Sequence, residues 1–191
     1  MIERILELDT KLFLYLNNLG NPSWDWFWLL ITDKWTAIPL YALLLYLIFK
    51  RYGVKGTIIS MVMVALLITC TDQLANVFKH AFERPRPCRQ EGVMEYARYI
   101  AVRCGRFGYF SAHASSTFAL AIFVGLILKK AYPKLIYVML FWALVVSYSR
   151  IYVGVHYPLD VITGMLIGAS LGYLLYLLQV YLIRRFKVTF S

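Results

Sequence analysis

Charge is scarce in this chain, and acid is scarcest of all. Only 16% of its 191 residues are Asp, Glu, Lys or Arg, ten acidic against twenty basic, where an ordinary soluble domain carries about 25%. With 61% of residues hydrophobic, that shortage excludes a globule surrounded by water. Cysteine is limited to Cys70, Cys88 and Cys104, none with a partner at zinc-like spacing, so no metal centre is expected from them. The first residues carry both signs of charge and lack a short apolar core with a small-residue cleavage site, so no cleavable signal peptide is expected. Internal repeats, low-complexity tracts and long linkers are also missing, which predicts one domain over residues 1–191.

Long apolar runs are what the chain has instead. They extend from Trp35 to Phe49, Thr57 to Phe78, Ser115 to Leu128, Leu135 to Val146 and Val161 to Ile183, and the longest reach the roughly 20 residues that a membrane-crossing helix needs. The segment from Leu12 to Thr32 is apolar too, but Asn17, Asn18, Gly20, Asn21 and Pro22 interrupt it. It reads as a broken sixth span or as an interfacial helix followed by a half-span. Ile2, Ile5, Leu6, Leu8, Leu12, Phe13 and Leu16 recur at helical spacing among Glu3, Arg4, Glu7, Asp9 and Lys11, the pattern of an amphipathic surface helix. The expected fold is all-α: a polytopic membrane helix bundle of about six transmembrane helices with an N-terminal amphipathic segment. Gly164, Gly168 and Gly172 recur every four residues in the last run, which predicts close helix packing inside the bundle.

The basic residues set the orientation. Lys50, Arg51, Lys55, Lys129, Lys130, Lys134, Arg184, Arg185 and Lys187 flank the runs in short loops and the tail, as cytoplasmic positive charge does. An equal number lies on the other side, mostly arginine gathered in the polar stretch from His80 to His113, where phosphate binding is a competing reason for the charge. That long loop is therefore expected outside the cytoplasm. Cys88 and Cys104 both fall in it, and an oxidising compartment would allow a disulfide contributing about 3 kcal/mol. Topology explains the net charge of +10, so nucleic acid is not an expected partner.

Three polar clusters fall at the loop side, where a membrane makes charge costly and usually functional. Lys79 and Arg86 flank the end of one run, and Pro85 and Pro87 stop the helix and stiffen the chain so that both cations can point at one locus. Phe110-Ser111-Ala112-His113 opens the next run, where backbone amides and the helix dipole favour an anion. The third cluster runs from Ser149-Arg150 through His156 to Asp160. Lys79, Arg86 and Arg150 supply three fixed positive charges, and Ser111 with the backbone around Ala112 supplies neutral donors, a set suited to a phosphoryl-transfer transition state. One histidine can attack phosphorus while the other protonates the departing oxygen. Asp160, four residues after His156, can orient its ring across one turn. His156 is thus the expected nucleophile and His113 the general acid, and no metal or other cofactor is needed. Nearby, Glu83 and Arg84 read as a mutual or solvent-facing pair, His80 as interfacial, and Arg89, Arg98, Arg103 and Arg106 as a solvated face or an attractor of anionic headgroups.

In these residues the chain resembles the type 2 phosphatidic acid phosphatase superfamily. That family's first motif, a lysine, six residues and Arg-Pro, is matched by Lys79 with Arg86-Pro87. Its third, Ser-Arg, five residues, His, three residues and Asp, is matched by Ser149-Arg150, His156 and Asp160. In the middle motif Phe110 and Ala112 replace the usual proline and glycine, while Ser111 and His113 remain. The resemblance implies metal-independent dephosphorylation of a lipid phosphate or pyrophosphate through a phosphohistidine. In bacterial members the site faces the periplasm or the extracellular side of the cytoplasmic (inner) membrane. Such relatives act on undecaprenyl pyrophosphate, phosphatidylglycerophosphate or lipid A phosphates, and prevalence within the family leans towards the first. The expected partner is a lipid that arrives laterally from the bilayer with its phosphate headgroup in the basic mouth. Two other classes would use the same residues: a lipid phosphotransferase, and a non-enzymatic binder of lipid phosphates, against which the full set of His113, His156 and Asp160 argues. The sequence leaves the oligomeric state open.

Overall fold

The computed structural model describes residues 1–186, so Lys187 lies outside the described residues. Every regular element among them is helical: α1 (Ile2–Asn18), α2 (Pro22–Thr32), α3 (Ile38–Phe82), α4 (Ala112–Leu128), α5 (Leu135–Tyr152) and α6 (Pro158–Arg185). The protein is a multi-pass membrane helix bundle. Helices α3, α5 and α6 are long and apolar enough to cross a bilayer, and α4 is a shorter apolar helix.

Helix α1 presents its apolar residues outward. Ile2, Ile5, Leu8 and Leu12 are exposed, whereas Asp9, Phe13 and Asn17, spaced four apart, are buried against the bundle. A helix lying at the edge of the bilayer is expected to do this, because acyl chains take the apolar face and the polar side chains must find protein partners. Asn17 finds four: its Nδ2 donates to the carbonyls of Arg98, Ile151 and Tyr152 at 2.9–3.0 Å, and its Oδ1 accepts the Arg98 N–H at 2.6 Å. The chain then breaks and restarts as α2, with Pro22 at the first turn and the Asn21 side chain accepting the Ser23 N–H at 2.9 Å. At 11 residues, α2 is about 16 Å long, roughly half the hydrocarbon thickness. The segment from Leu12 to Thr32 is therefore not one continuous helix but the end of α1 followed by the short helix α2.

Helix α3 would measure about 67 Å if its 45 residues were straight. It folds back on itself at Gly53, whose φ of 61° and ψ of −167° suit glycine and few other residues. Leu44 and Ile48 before the bend and Met63 and Leu67 after it share one buried cluster with Phe118, Phe123 and Met139. The Tyr52 hydroxyl donates to the Ile127 carbonyl at 2.7 Å, so the bend sits beside the end of α4. Lys50, Arg51, Lys55, Lys129, Lys130, Lys134, Arg184 and Arg185 are all exposed at this end of the bundle.

The glycine stripe of α6 packs intramolecularly, as expected. A Cβ built on Gly164, Gly168 or Gly172 would fall 2.5, 2.1 or 2.3 Å from the carbonyl oxygens of Ser111, Ser115 and Ala119, so α4 and α6 touch backbone to backbone. At the opposite end from the lysines, α3 stops where Pro85 follows. Glu83 takes the left-handed conformation (φ 44°) and its N–H bonds the Lys79 carbonyl at 3.0 Å. The loop to α4 is tied by a Pro85–Phe107 bridge, by the Gly108 N–H on the Arg84 carbonyl at 2.9 Å, and by a Cys88–Cys104 disulfide with Cα atoms 6.5 Å apart.

Candidate active site

The turn between α5 and α6 fixes the first group of residues. Gly154 (φ 81°) allows it, since a Cβ there would fall 2.6 Å from the Arg98 carbonyl. The N–H groups of Val155 and His156 both bond the Arg150 carbonyl, at 3.1 and 3.3 Å, which holds the arginine and the histidine in register. His156 is 2% exposed, with Nδ1 3.3 Å from Asp160 Oδ2, an oxygen that also accepts the Tyr157 N–H at 3.1 Å. Nε2, on the opposite side of the ring, therefore faces away from the carboxylate. The Asp160 carbonyl accepts the Ser111 N–H at 2.9 Å and joins the start of α6 to the start of α4.

Cations converge on this pair. Burial, followed by the charges of Arg86, Arg150, Lys79 and Arg84, holds His156 well below its ordinary value of 6.5, so the ring is neutral. Arg150, Arg86, Lys79 and the His156 ring are also neighbours of His113, so the structure brings together Lys79, Arg86, His113, Arg150, His156 and Asp160. The Arg86 Nε donates to the Phe107 carbonyl at 2.9 Å. Arg150 Nη1 donates to the Thr32 hydroxyl, while its buried Nε has no hydrogen-bond partner among the described residues. Ser111 is fully buried as the N-cap of α4, with Oγ 3.5 Å from the Ala114 N–H. Ala112 and His113 are partly exposed and line a cavity with Thr32, Asp72 and Ser116. From this polar end the cavity, of about 650 Å³, continues between the arms of α3 and helices α4 and α5 along Leu44, Ile48, Ile68, Leu120 and Trp142.

Two expectations for neighbouring residues are overturned. Arg84 does not pair with Glu83 or face solvent: its side chain is 15% exposed and bridges two buried carboxylates, Asp9 Oδ2 at 2.5 Å and Asp160 Oδ1 at 2.8 Å. Arg98 is no free loop cation either, because its Nη2 donates to both Asp25 oxygens at 3.0 and 2.9 Å and its guanidinium lies over the Tyr152 ring. Sequence reasoning also missed Asp9 as part of the site. Its one signal is a carboxylate in line with Phe13 and Asn17 at four-residue spacing, on a face that must pack against something. Arg89, Arg103 and Arg106 remain exposed on the loop.

Comparison with known proteins bears on the family and the fold. The chain is 37% identical over 179 residues to a lipid A 4'-phosphatase of Bacteroides thetaiotaomicron, spanning 92% of this chain and 79% of that one. It is 33% identical over 184 residues to the lipid A 4'-phosphatase of Porphyromonas gingivalis, spanning 94% and 76%. Its fold is that of the crystal structure of a transmembrane PAP2 type phosphatidylglycerolphosphate phosphatase from Bacillus subtilis, with a TM-score of 0.71 at 20% identity over 90% of this chain and 84% of that one. The PAP2 superfamily model matches residues 57–184, a stretch that holds all three polar clusters, and the chain belongs to the PAP2 superfamily.

Proposed function

We propose that this protein is a lipid phosphatase that cleaves a phosphate from lipid A through a phosphohistidine at His156, without a metal. The observation that carries this reading is the buried His156 held by Asp160 among Arg86, Arg150 and Lys79 and neighboured by His113, which lines one end of an apolar cavity. Nε2 of His156 attacks phosphorus, and the bond from phosphorus to the lipid oxygen breaks as His113 gives that oxygen its proton. His113 then takes a proton from a water that attacks the phosphohistidine, the P–N bond breaks, and inorganic phosphate leaves. Lys79, Arg86 and Arg150 stabilise the negative oxygens throughout. The unpartnered Nε of Arg150 is a donor ready for one of them.

The choice of lipid A rests on the names of the two curated relatives, both lipid A 4'-phosphatases. It takes precedence over the leaning towards undecaprenyl pyrophosphate that family prevalence gives. The apolar cavity suits an acyl chain, each buried methylene contributing about 0.8 kcal/mol. The exposed basic residues at the far end of the bundle and the disulfide in the loop support a site on the periplasmic or extracellular face of the cytoplasmic membrane.

The test is phosphate release by purified protein in EDTA from lipid A, undecaprenyl pyrophosphate and phosphatidylglycerophosphate, each beside His156→Ala. The expected result is fastest release from lipid A, none in the variant, and an acid-labile phosphoenzyme with labelled substrate. Equal release by His156→Ala overturns the nucleophile. Release from undecaprenyl pyrophosphate alone overturns the substrate, and phosphate recovered on an acceptor lipid makes the protein a phosphotransferase.

A further inference from the structure

A chain of charge runs from the surface helix to the reactive histidine. At its outer end is Asp9, a carboxylate on the inward face of α1, 4% exposed. Its Oδ1 accepts the Leu159 N–H at 2.9 Å, in the first turn of α6, and its Oδ2 accepts Arg84 Nη2 at 2.5 Å. The other arm of the guanidinium, Nη1, holds Asp160 Oδ1 at 2.8 Å, which leaves Asp160 Oδ2 for His156. Arg84 is braced from a further side, since its guanidinium lies 4.1 Å from the centre of the Tyr157 ring and Phe13 of α1 meets that ring edge-on at 5.3 Å. Three separate elements, α1, the loop after α3 and the start of α6, thus fix which oxygen of Asp160 faces the histidine.

We propose that Asp9 and Arg84 are positioning residues for catalysis: Arg84 sets the rotamer of Asp160 that orients His156, and Asp9 holds Arg84 and the first turn of α6 in the geometry that makes this possible. The inference rests on the reading of His156 as nucleophile. Arginine suits the role because its planar fork reaches two carboxylates in fixed directions, which a lysine cannot do. Arg84 is also the charge that allows two carboxylates to be buried together. Burial pushes the Asp9 carboxyl up, and the Arg84 and Leu159 N–H groups act against that rise. Asp9 lies outside the three motifs, Arg84 is one of the six unspecified residues of the first, and the hydrogen bonds that join them go to Asp160 and the Leu159 N–H and to neither histidine. They act through Asp160.

A double-mutant cycle tests this on purified full-length protein, with thermal unfolding to confirm the fold of each variant. Arg84→Gln is expected to lower kcat on the order of 10- to 100-fold, the usual cost of removing an outer partner that orients a reactive group, with KM changed less than about threefold because the phosphate-binding cations are intact. Asp9→Asn, the gentler variant, should lose less, and Arg84→Lys should recover part of the loss of Arg84→Gln. In an Asp160→Asn background, both substitutions should have almost no further effect on kcat, because the group they position is already gone. A merely structural role would lower Tm and active fraction equally in both backgrounds. Folded Asp9→Asn with wild-type kcat, or losses undiminished beside Asp160→Asn, overturns the inference. Should Arg84→Gln fail to fold, Asp9→Asn alone decides. If His156→Ala turns over like wild type, the site reading itself fails. If His156→Ala is dead while Asp9→Asn and Arg84→Gln keep wild-type kcat, only this inference fails.

Discussion

Both ends of the bundle are basic, and they use their charge in opposite ways. At the bend of α3, the α4–α5 connection and the end of α6, the lysines and arginines are exposed and able to keep their hydration, Arg51 lying over the Tyr52 ring at 5.6 Å. At the other end Arg89, Arg103 and Arg106 are exposed too, but three cations are drawn in and fixed: Arg84 between two aspartates, Arg86 on a carbonyl, Arg150 on Thr32. Solvated charge orients a protein in a bilayer but is too mobile and too well screened to stabilise a transition state. Buried, pre-aimed charge does so because it needs no reorganisation when negative charge develops. The number of cations is similar at the two ends, and desolvation separates topology from chemistry.

The comparison breaks most sharply at the histidine itself. His156→Ala should reduce lipid phosphatase turnover to background, and Arg150→Lys, which keeps charge and loses the planar fork, should cost at least about 100-fold in kcat/KM. Steady-state kinetics on both checks this, and near-normal Arg150→Lys activity would mean that charge alone suffices. A second test alters the floor of the site without altering charge. Gly168→Val would place a side chain into the Ser115 carbonyl, 2.1 Å from the first carbon, and force α4 and α6 apart at a cost of about 1–3 kcal/mol, read as a lower Tm.

The third test uses pH. With its folded value held well below 6.5, His156 stays neutral in the native protein while the unfolded chain takes up a proton below 6.5. The unfolded state then binds more protons, so this stability is complete above pH 6.5 and falls as pH drops further, by up to about 1.4 kcal/mol per pH unit. His156→Gln should flatten that part of the profile in thermal melts between pH 7 and 5. The smallest effect belongs to the far end. Lys129→Gln with Lys130→Gln should leave kcat/KM within about twofold. Cysteines substituted at Lys130 and Arg106 should react with an impermeant maleimide from opposite sides of the membrane, and labelling from the same side would collapse the comparison.

Much of this was legible in the sequence because it is local. Apolar runs set five of the membrane segments, four-residue spacing set the glycine contact of α6 with α4, and the separation of His156 from Asp160 placed one against the other across a turn. What could not be read depends on distant partners. Arg84 meets Asp9 from 75 residues away, and Arg98 meets Asp25 from 73. Nothing in either neighbourhood separates these arginines from the exposed Arg103 or Arg106. Ser111 was legible as a residue of the site but not as a fully buried cap, because its N–H finds the Asp160 carbonyl only once α6 is in place.

The inward face of α1 also bears on how the protein is made. This helix leaves the ribosome before α2 to α6, yet the partners of its buried polar groups are translated much later: Ile151 and Tyr152 for Asn17, and Leu159, 150 residues onward, for Asp9. Until α6 is inserted, α1 can only rest on the bilayer surface with its carboxylate and amide turned to water, held by its apolar side. When α6 arrives, the same event seats Asp9, Arg84 and Asp160 together. A nascent chain therefore holds no working phosphatase before α6 is inserted, and activity itself reports that α6 has met α1.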